Sequence, residues 1–434
     1  MAQYRIDKHE YLKPDTTIFE VMMLADQYGN MVGPANPSGM AVDAFGRARQ
    51  SLPLTLFDSF HRYQDNGKIS TANTSGGTFA WSANTASIDM TVSAASGASV
   101  KRETSRVFAY QPGKSLQILQ TFVMNPVKTN LRQRIGYFGE ENGFYLEKSD
   151  GVFLCKRSKV TGAVQDTRVP QAQWNIDPLD GTGPSRLTLN LDAPQILFTD
   201  IEWLGVGSVR MGFVIDGQLI HCHSFHHANL ASAPLGAYMQ TACLPLRAEI
   251  ENTGTAASSS VMKIICSSVI SEGGYELRGR QFTVGQAANT AYTMSTAGTW
   301  YPVVALRLKS TRLDGLVVPR ALSLLGLTGN GTRIKWSLVQ NATVTGGTWV
   351  EADPESCVEY NITATGMSGG RYLKSGFQAV NNQGSVALQA MGADFQVQLE
   401  RNSFTSTPFN LVLAVQGAGA GDTCVGGIDW EEVT

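Results

Sequence analysis

Gly212-Phe-Val-Ile-Asp-Gly-Gln-Leu-Ile-His-Cys-His-Ser-Phe-His-His227 is the richest run of chemically able side chains in the sequence, yet its first half specifies a fold. Val214 and Ile215, then Leu219 and Ile220, flank Asp216-Gly217. Asp-Gly between apolar runs is the strongest short-range hairpin signal, because a tight two-residue turn needs a positive φ at both positions. The same pattern of short β-rich runs divided by Gly, Asn, Asp and Pro recurs at 107–110, 116–124, 132–138, 144–146, 152–157, 186–191, 195–202 and 209–215. Leu187-Thr-Leu-Asn-Leu191 alternates strictly, so its leucines are expected to face one core. Residues 228–239 contain Pro234 and Gly236 and read as a loop.

These runs predict an all-β chain in three parts. Residues 1–52 read as an extended N-terminal arm, since three Gly and two Pro in Gly29-Asn-Met-Val-Gly-Pro-Ala-Asn-Pro-Ser-Gly39 oppose both helix and central strand. Such an arm either frays or is ordered by a neighbouring subunit. Residues 53–272 form a central β-sandwich or jelly-roll-like domain. After Ile270-Ser-Glu-Gly-Gly-Tyr275 the pattern restarts at 301–308, 321–327, 333–340, 357–362, 394–400 and 409–415, giving a second sandwich over 273–434. Ile428 and Trp430 pin the chain end into a sheet.

Composition narrows the function. Charged residues are 16% of the 434, against about 25% in an average soluble protein, and the net charge is −2. No basic footprint for nucleic acid is present. The first twenty residues lack the apolar core of a signal peptide, and no apolar run reaches the roughly 18 residues of a membrane span, so membrane insertion is not expected. Six scattered cysteines fit free thiols in a reduced compartment. No GxSxG, HExxH or phosphate loop occurs, and Glu140, Glu141, Asp200 and Glu202 cannot be paired into a glycosidase site from sequence. The expectation is a non-enzyme that needs no cofactor.

Four groups of residues remain as site candidates. His221 and His223 are expected on one strand face, where His226 or His227 would complete a zinc- or nickel-like site. The favoured alternative is a strand-end polar cluster. Arg132, Arg134 and Arg210 suggest a polar sheet face, solvated or pairing with Asp200 or Glu202 at an interface. Asp177-Pro-Leu-Asp-Gly-Thr-Gly183 reads as a turn in preference to a calcium loop. Trp300, Tyr301, Trp349 and Tyr372 could stack a glycan or fill the core.

Asp43-Ala-Phe-Gly-Arg-Ala-Arg49, Leu56-Phe-Asp-Ser59, Arg62-Tyr63, Arg106-Val-Phe-Ala-Tyr-Gln-Pro-Gly-Lys-Ser115 and Asn130-Leu-Arg-Gln-Arg-Ile-Gly-Tyr-Phe-Gly139 resemble strings in virion structural proteins of tailed bacteriophages of the cyanophage and marine type. Leu179-Asp-Gly-Thr-Gly-Pro-Ser185, Glu202-Trp-Leu-Gly-Val-Gly-Ser-Val-Arg210, Gly212-Phe-Val-Ile215, Cys222-His223 and His227-Ala-Asn229 extend the resemblance. Leu306-Arg-Leu-Lys309, Arg312-Leu-Asp-Gly315, Gln340-Asn-Ala342, Gln398-Leu-Glu-Arg-Asn402 and Asp429-Trp-Glu-Glu432 carry it to the C-terminus. His226 departs from the group's pattern. The resemblance implies a particle component made in the host cytoplasm and no activity. By analogy with fibres and decorating appendages it implies a homotrimer on the tail, baseplate or fibre that docks on other virion proteins through the arm. A capsid-decorating head fibre or a glycan-binding adhesin for host attachment is the alternative.

Overall fold

The computed structural model describes residues 52–230, 236–327, 333–379 and 397–433, together with the backbone of strands Lys8–Leu12, Ile18–Met22, Leu24–Ala25, Met31–Val32 and Val386–Ala390. The chain divides into two compact units, 1–52 and 53–434. In the first, Lys8–Leu12 pairs with Ile18–Met22 and Leu24–Ala25 with Met31–Val32, both antiparallel. The remainder of the expected arm, including most of the Gly29 to Gly39 run, lies outside the described residues.

The second unit is all-β. Among the described residues its one helical turn is the 3-10 segment Gln171–Gln173. Two pairs of antiparallel sheets build two lobes. In the first lobe one sheet runs, in spatial order, Gln218–Phe225, Val209–Ile215, Gln195–Ile201, Leu116–Val123, Ser260–Ser271, Ser87–Val92 and Gly77–Ser82, with Leu54–Phe60 also pairing with Ser260–Ser271. The facing sheet runs Gln165–Pro170, Val152–Ser158, Gly143–Lys148, Leu131–Phe138, Leu246–Asn252, Ser99–Thr104 and Ile69–Asn73. Period-two patterning sets the core: Leu116, Ile118 and Phe122 point from one sheet toward Leu131, Ile135 and Tyr137 of the other.

The second lobe repeats the plan. One sheet has the order Arg280–Gly285, Asp422–Val433, Leu316–Gly326 and Val386–Ala390, with Tyr292–Met294 also on Asp422–Val433. The other has the order Val350–Glu351, Val358–Asn361, Trp300–Leu308, Leu411–Gly417, Arg333–Gln340 and Arg371–Ala379. Ile428 and Trp430 are fully buried between them, so the terminal strand is central, as its alternation implied.

Three expected strands do not form among the described residues: 107–110, 186–191 and the described part of 394–400, residues 397–400, which is irregular. Residues 107–110 are buried but irregular, with their backbone bonded to Leu244 and Gln398. Residues 186–191 keep only a single bridge, Asp180 to Thr188, although Leu191 enters the core and Leu187 and Leu189 pack against it. Short backbone bonds, Gly181 N–H to the Leu187 carbonyl and Leu189 N–H to that of Leu179, tie the segment to the preceding turn, in which the Asp177 carboxylate accepts from the backbone N–H of Leu179 and Ser185, and Asp180 accepts from Thr182. The segment 177–183 is thus a pair of Asx turns whose carboxylates are already committed.

A buried ionic seam joins the lobes. Arg401 of the second lobe donates to Glu103 Oε1 at 2.9 Å, to the Thr104 carbonyl at 2.6 Å and to Asp314 at 2.9 Å. Its backbone N–H reaches the Ser105 carbonyl, and the Gln398 amide reaches that of Val107. The second oxygen of Glu103 takes Arg247 at 2.9 Å, and Arg247 also holds Glu249 and Glu140. Glu103, Arg247, Glu249 and Arg401 are each at most 3% exposed. Burial pushes the Glu103 carboxyl up, against the pull of Arg401 and Arg247.

Arg401→Ala is expected to cost about 3 kcal/mol or more, because it strands a buried carboxylate oxygen, and to split thermal unfolding into two transitions. Arg210→Ala, at a half-exposed pair with Asp200, is expected to cost less than about 1 kcal/mol. Calorimetry of both variants checks this, and a single unshifted transition for Arg401→Ala would show that the seam does not couple the lobes. At the Asp216-Gly217 turn φ is 51° and 75°. Gly217→Ala meets no neighbouring atom, so the left-handed backbone alone should lower stability by about 1 kcal/mol in urea titration.

Candidate functional site

The histidine strand carries a bulge that the sequence does not reveal. Register across the hairpin puts His221 opposite Gly212 and His223 opposite Met211, with a shift between them that leaves Cys222 as the extra residue. Met211 and Gly212 are neighbours on their strand and face opposite ways, so His221 and His223 do too. This corrects the expectation of a shared face.

His221 is half-buried, edge-on to Phe198, with Nε2 4.0 Å from Asp200. His223 is buried, and its Nδ1 accepts the backbone N–H of Asn175. His226 is exposed and bonds Ser208 through Nδ1 at 3.0 Å. His227 stacks on Tyr238 with ring centroids 3.6 Å apart and planes within 10°. Its Nδ1 lies 2.7 Å from the Gly207 carbonyl, which can only accept, so Nδ1 carries the proton and Nε2 faces the Lys156 ammonium at 3.3 Å.

Both nitrogens of His227 are therefore engaged, and the four rings spread over two sheet faces and a loop. Among the described residues no group of three or more His, Cys, Asp or Glu side chains is placed to hold a metal. Burial lowers the pKa of His223 and of His227 to about 4. The charges of His226, and for His227 of Lys156, act in the same direction.

The arginine candidates are separated by sheet. Arg210 is half exposed and pairs with Asp200 on the adjacent strand of its own sheet. Arg132 pairs with Glu251, and Arg134 with Glu147 at 2.8 Å and Glu249 at 3.5 Å, on the outer face of the other sheet. Beside them a groove of about 540 Å³ is lined by Arg132, Arg134, Arg168, Glu147, Asp150 and Asp166 among others. Arg168 lies 3.9 Å over the Phe153 ring and pairs with Glu147. Glu140, Glu141 and Asp200 are each held by a different cation, Arg247, Lys159 and Arg210. All six cysteines are free.

The four aromatic candidates fall into three places. Tyr301 is a core residue, 7% exposed, with its hydroxyl bonded at Ser295 and Thr296. Adjacent residues of a strand face opposite ways, so Trp300 and Tyr301 cannot share a surface. Trp349 lies under Arg307, whose guanidinium is 4.1 Å from the ring and paired with Glu359. Trp300 and Tyr372 do meet, with centroids 5.5 Å apart on the outer face of the six-stranded sheet. Phe377, 70% exposed, and Lys335 accompany them there, and neither was a sequence candidate. Two exposed rings on a strand give no signal in sequence until the register of its neighbours is known.

No family model matches the chain, and no curated protein matches it. Among solved structures it is similar to the CBM2 module of the evolved Dit of Lactobacillus casei BL23 phage J-1, over 52% of this chain and 100% of that one, with 8% identity and a TM-score of 0.34. It is also similar to peanut lectin, over 51% and 98%, with 10% identity and a TM-score of 0.28. A carbohydrate esterase from the Shiga toxin-encoding bacteriophage phi24B matches over 51% and 99%, with 13% identity and a TM-score of 0.29. Likenesses this distant say nothing about activity.

Folded His223 and His227 stay neutral down to about pH 4, while an unfolded histidine titrates near 6.5. The unfolded chain therefore binds more protons between those values, and stability is lost as pH falls through that window, by up to about 3 kcal/mol per histidine. Urea midpoints at pH 7 and pH 4.5 check this. His227→Gln and His223→Gln should each flatten the dependence, and an unchanged slope in both would refute the assignment.

Proposed function

We propose that this chain is a structural component of a tailed-phage virion, a peripheral protein of the tail, baseplate or fibre that forms a homotrimer and performs no covalent chemistry. The observation that carries the proposal is where the phage-like strings meet. Val107 lies in Arg106 to Ser115, Asp314 in Arg312 to Gly315, and Gln398 and Arg401 in Gln398 to Asn402. These residues come together at the seam, where Gln398 bonds Val107 and Arg401 bonds Asp314. Arg134, from the Asn130 to Gly139 string, extends the same charge network through Glu249. Strings that build a rigid joint between two β lobes suit a particle part, in which geometry is the function.

In this reading residues 1–52 dock the protein on other virion proteins. The protein should be present in purified particles, and deletion of residues 1–39 should leave 53–434 folded but lost from them. Quantitative mass spectrometry of wild-type and deletion particles decides. Absence of the intact chain from particles would end the proposal, and full incorporation of the deletion would exclude the arm as anchor. A second reading, a glycan-binding adhesin, is favoured by the pair of exposed Tyr372 and partly buried Trp300 on the outer face of the six-stranded sheet.

A further inference from the structure

The six-stranded sheet of the second lobe is apolar on both faces. Leu411, Leu413 and Val415 enter the main core, while Val412 and Ala414 belong to a smaller cluster on the outer side with Ala305, Val339 and Ala342, against which Trp300, Trp349 and Met367 pack. Register aligns side chains across this outer face. Trp300 lies opposite Gln416, Gln416 opposite Lys335, and Lys335 opposite Phe377. These four residues form one row across four adjacent strands, roughly 14 Å long at the usual strand spacing.

The neighbouring row, Pro302, Ala414, Ser337 and Ser375, is small. Tyr372, one row further, crosses it to reach Trp300. Tyr372 is 50% and Phe377 70% exposed, a concentration of open rings that ordinary surfaces avoid. The Lys335 ammonium lies 5.5 Å from the Trp300 ring and 5.8 Å from that of Phe377, with no carboxylate in ion-pair reach among the described residues. Gln416 is anchored through Nε2 to the Gly298 carbonyl, which leaves its amide oxygen as the acceptor of the row.

We infer that this row is a binding site for an acidic oligosaccharide. The C–H faces of successive sugar rings would stack on Tyr372, Trp300 and Phe377, a hydroxyl would donate to Gln416, and a carboxylate would pair with Lys335. Charge complementarity selects the acidic class, because the single charge on the row is a cation with no carboxylate in ion-pair reach among the described residues. The inference rests on the adhesin reading and does not need the virion reading.

The test is binding of the full chain to an array of bacterial oligosaccharides that includes uronate- and sialate-bearing members and their uncharged counterparts. Wild type should prefer acidic members. Tyr372→Ala and Phe377→Ala should each weaken binding about tenfold, and Lys335→Gln should remove the preference for acid while retaining weak binding to neutral sugars. These residues are partly or largely exposed, so folding should be unchanged, and each variant should still enter particles. No glycan bound by wild type would overturn both the site and the adhesin reading. Glycan bound equally by all variants would overturn the site alone. A changed oligomeric state in Phe377→Ala without changed glycan affinity would show that the face covers a second copy instead.

Discussion

The joint between the two lobes of the larger unit depends on one carboxylate shared by two guanidiniums. Glu103 sits on a strand of the first lobe, with one oxygen on Arg247 of the adjacent strand and the other on Arg401 of the second lobe. An isolated charge at that depth would be costly, so each partner makes the burial of the others tolerable. The arrangement is also directional. Arg401 bonds backbone carbonyls and Asp314 in the same stroke, which fixes orientation as well as distance. Two sandwiches that could have been beads on a string form one compact unit.

The same network draws part of the chain's limited charge inside. Charged residues are only 16% of the chain, and a share of them, including Glu147, Arg157, Arg247 and Glu249, is buried. Outer faces carry hydroxyls, amides and a few open rings beside the charged groove around Arg132, Arg134 and Arg168. This is why composition argued against nucleic acid and why the most distinctive outer surface is aromatic.

How much of this was readable from sequence varies with the kind of contact. The all-β class, the Asp216-Gly217 hairpin and the buried Ile428 and Trp430 were legible, because turn chemistry and period-two patterning are local. Leu187, Leu189 and Leu191 were placed on the correct side, yet their segment pairs only with the preceding turn, through Leu189 to Leu179 and Gly181 to Leu187, a turn that the Asp177 carboxylate holds by the N–H groups of Leu179 and Ser185. The histidine face was misread for a different reason. A one-residue bulge at Cys222 reverses every side chain beyond it, and only the partner strand records it. Trp300 and Tyr301 could have been separated by alternation alone. Lys335 and Phe377 could not have been found, because they join Trp300 only through the pairing of four strands.

Glu103 and Arg401 are separated by 298 positions in the chain, and Val107 and Gln398 by 291. A growing polypeptide completes the first lobe long before Arg401 leaves the ribosome. During that interval Arg247 already has Glu249 and Glu140, while one oxygen of Glu103 and several carbonyls around Thr104 have only water. Closing so long a loop is slow, and until it closes the first lobe presents a wet, half-satisfied face to its surroundings. The seam thus sets the order of events: the orientation of the two lobes is fixed by a contact that cannot form until Arg401 has been made, after the sheets of the first lobe already have all their strands.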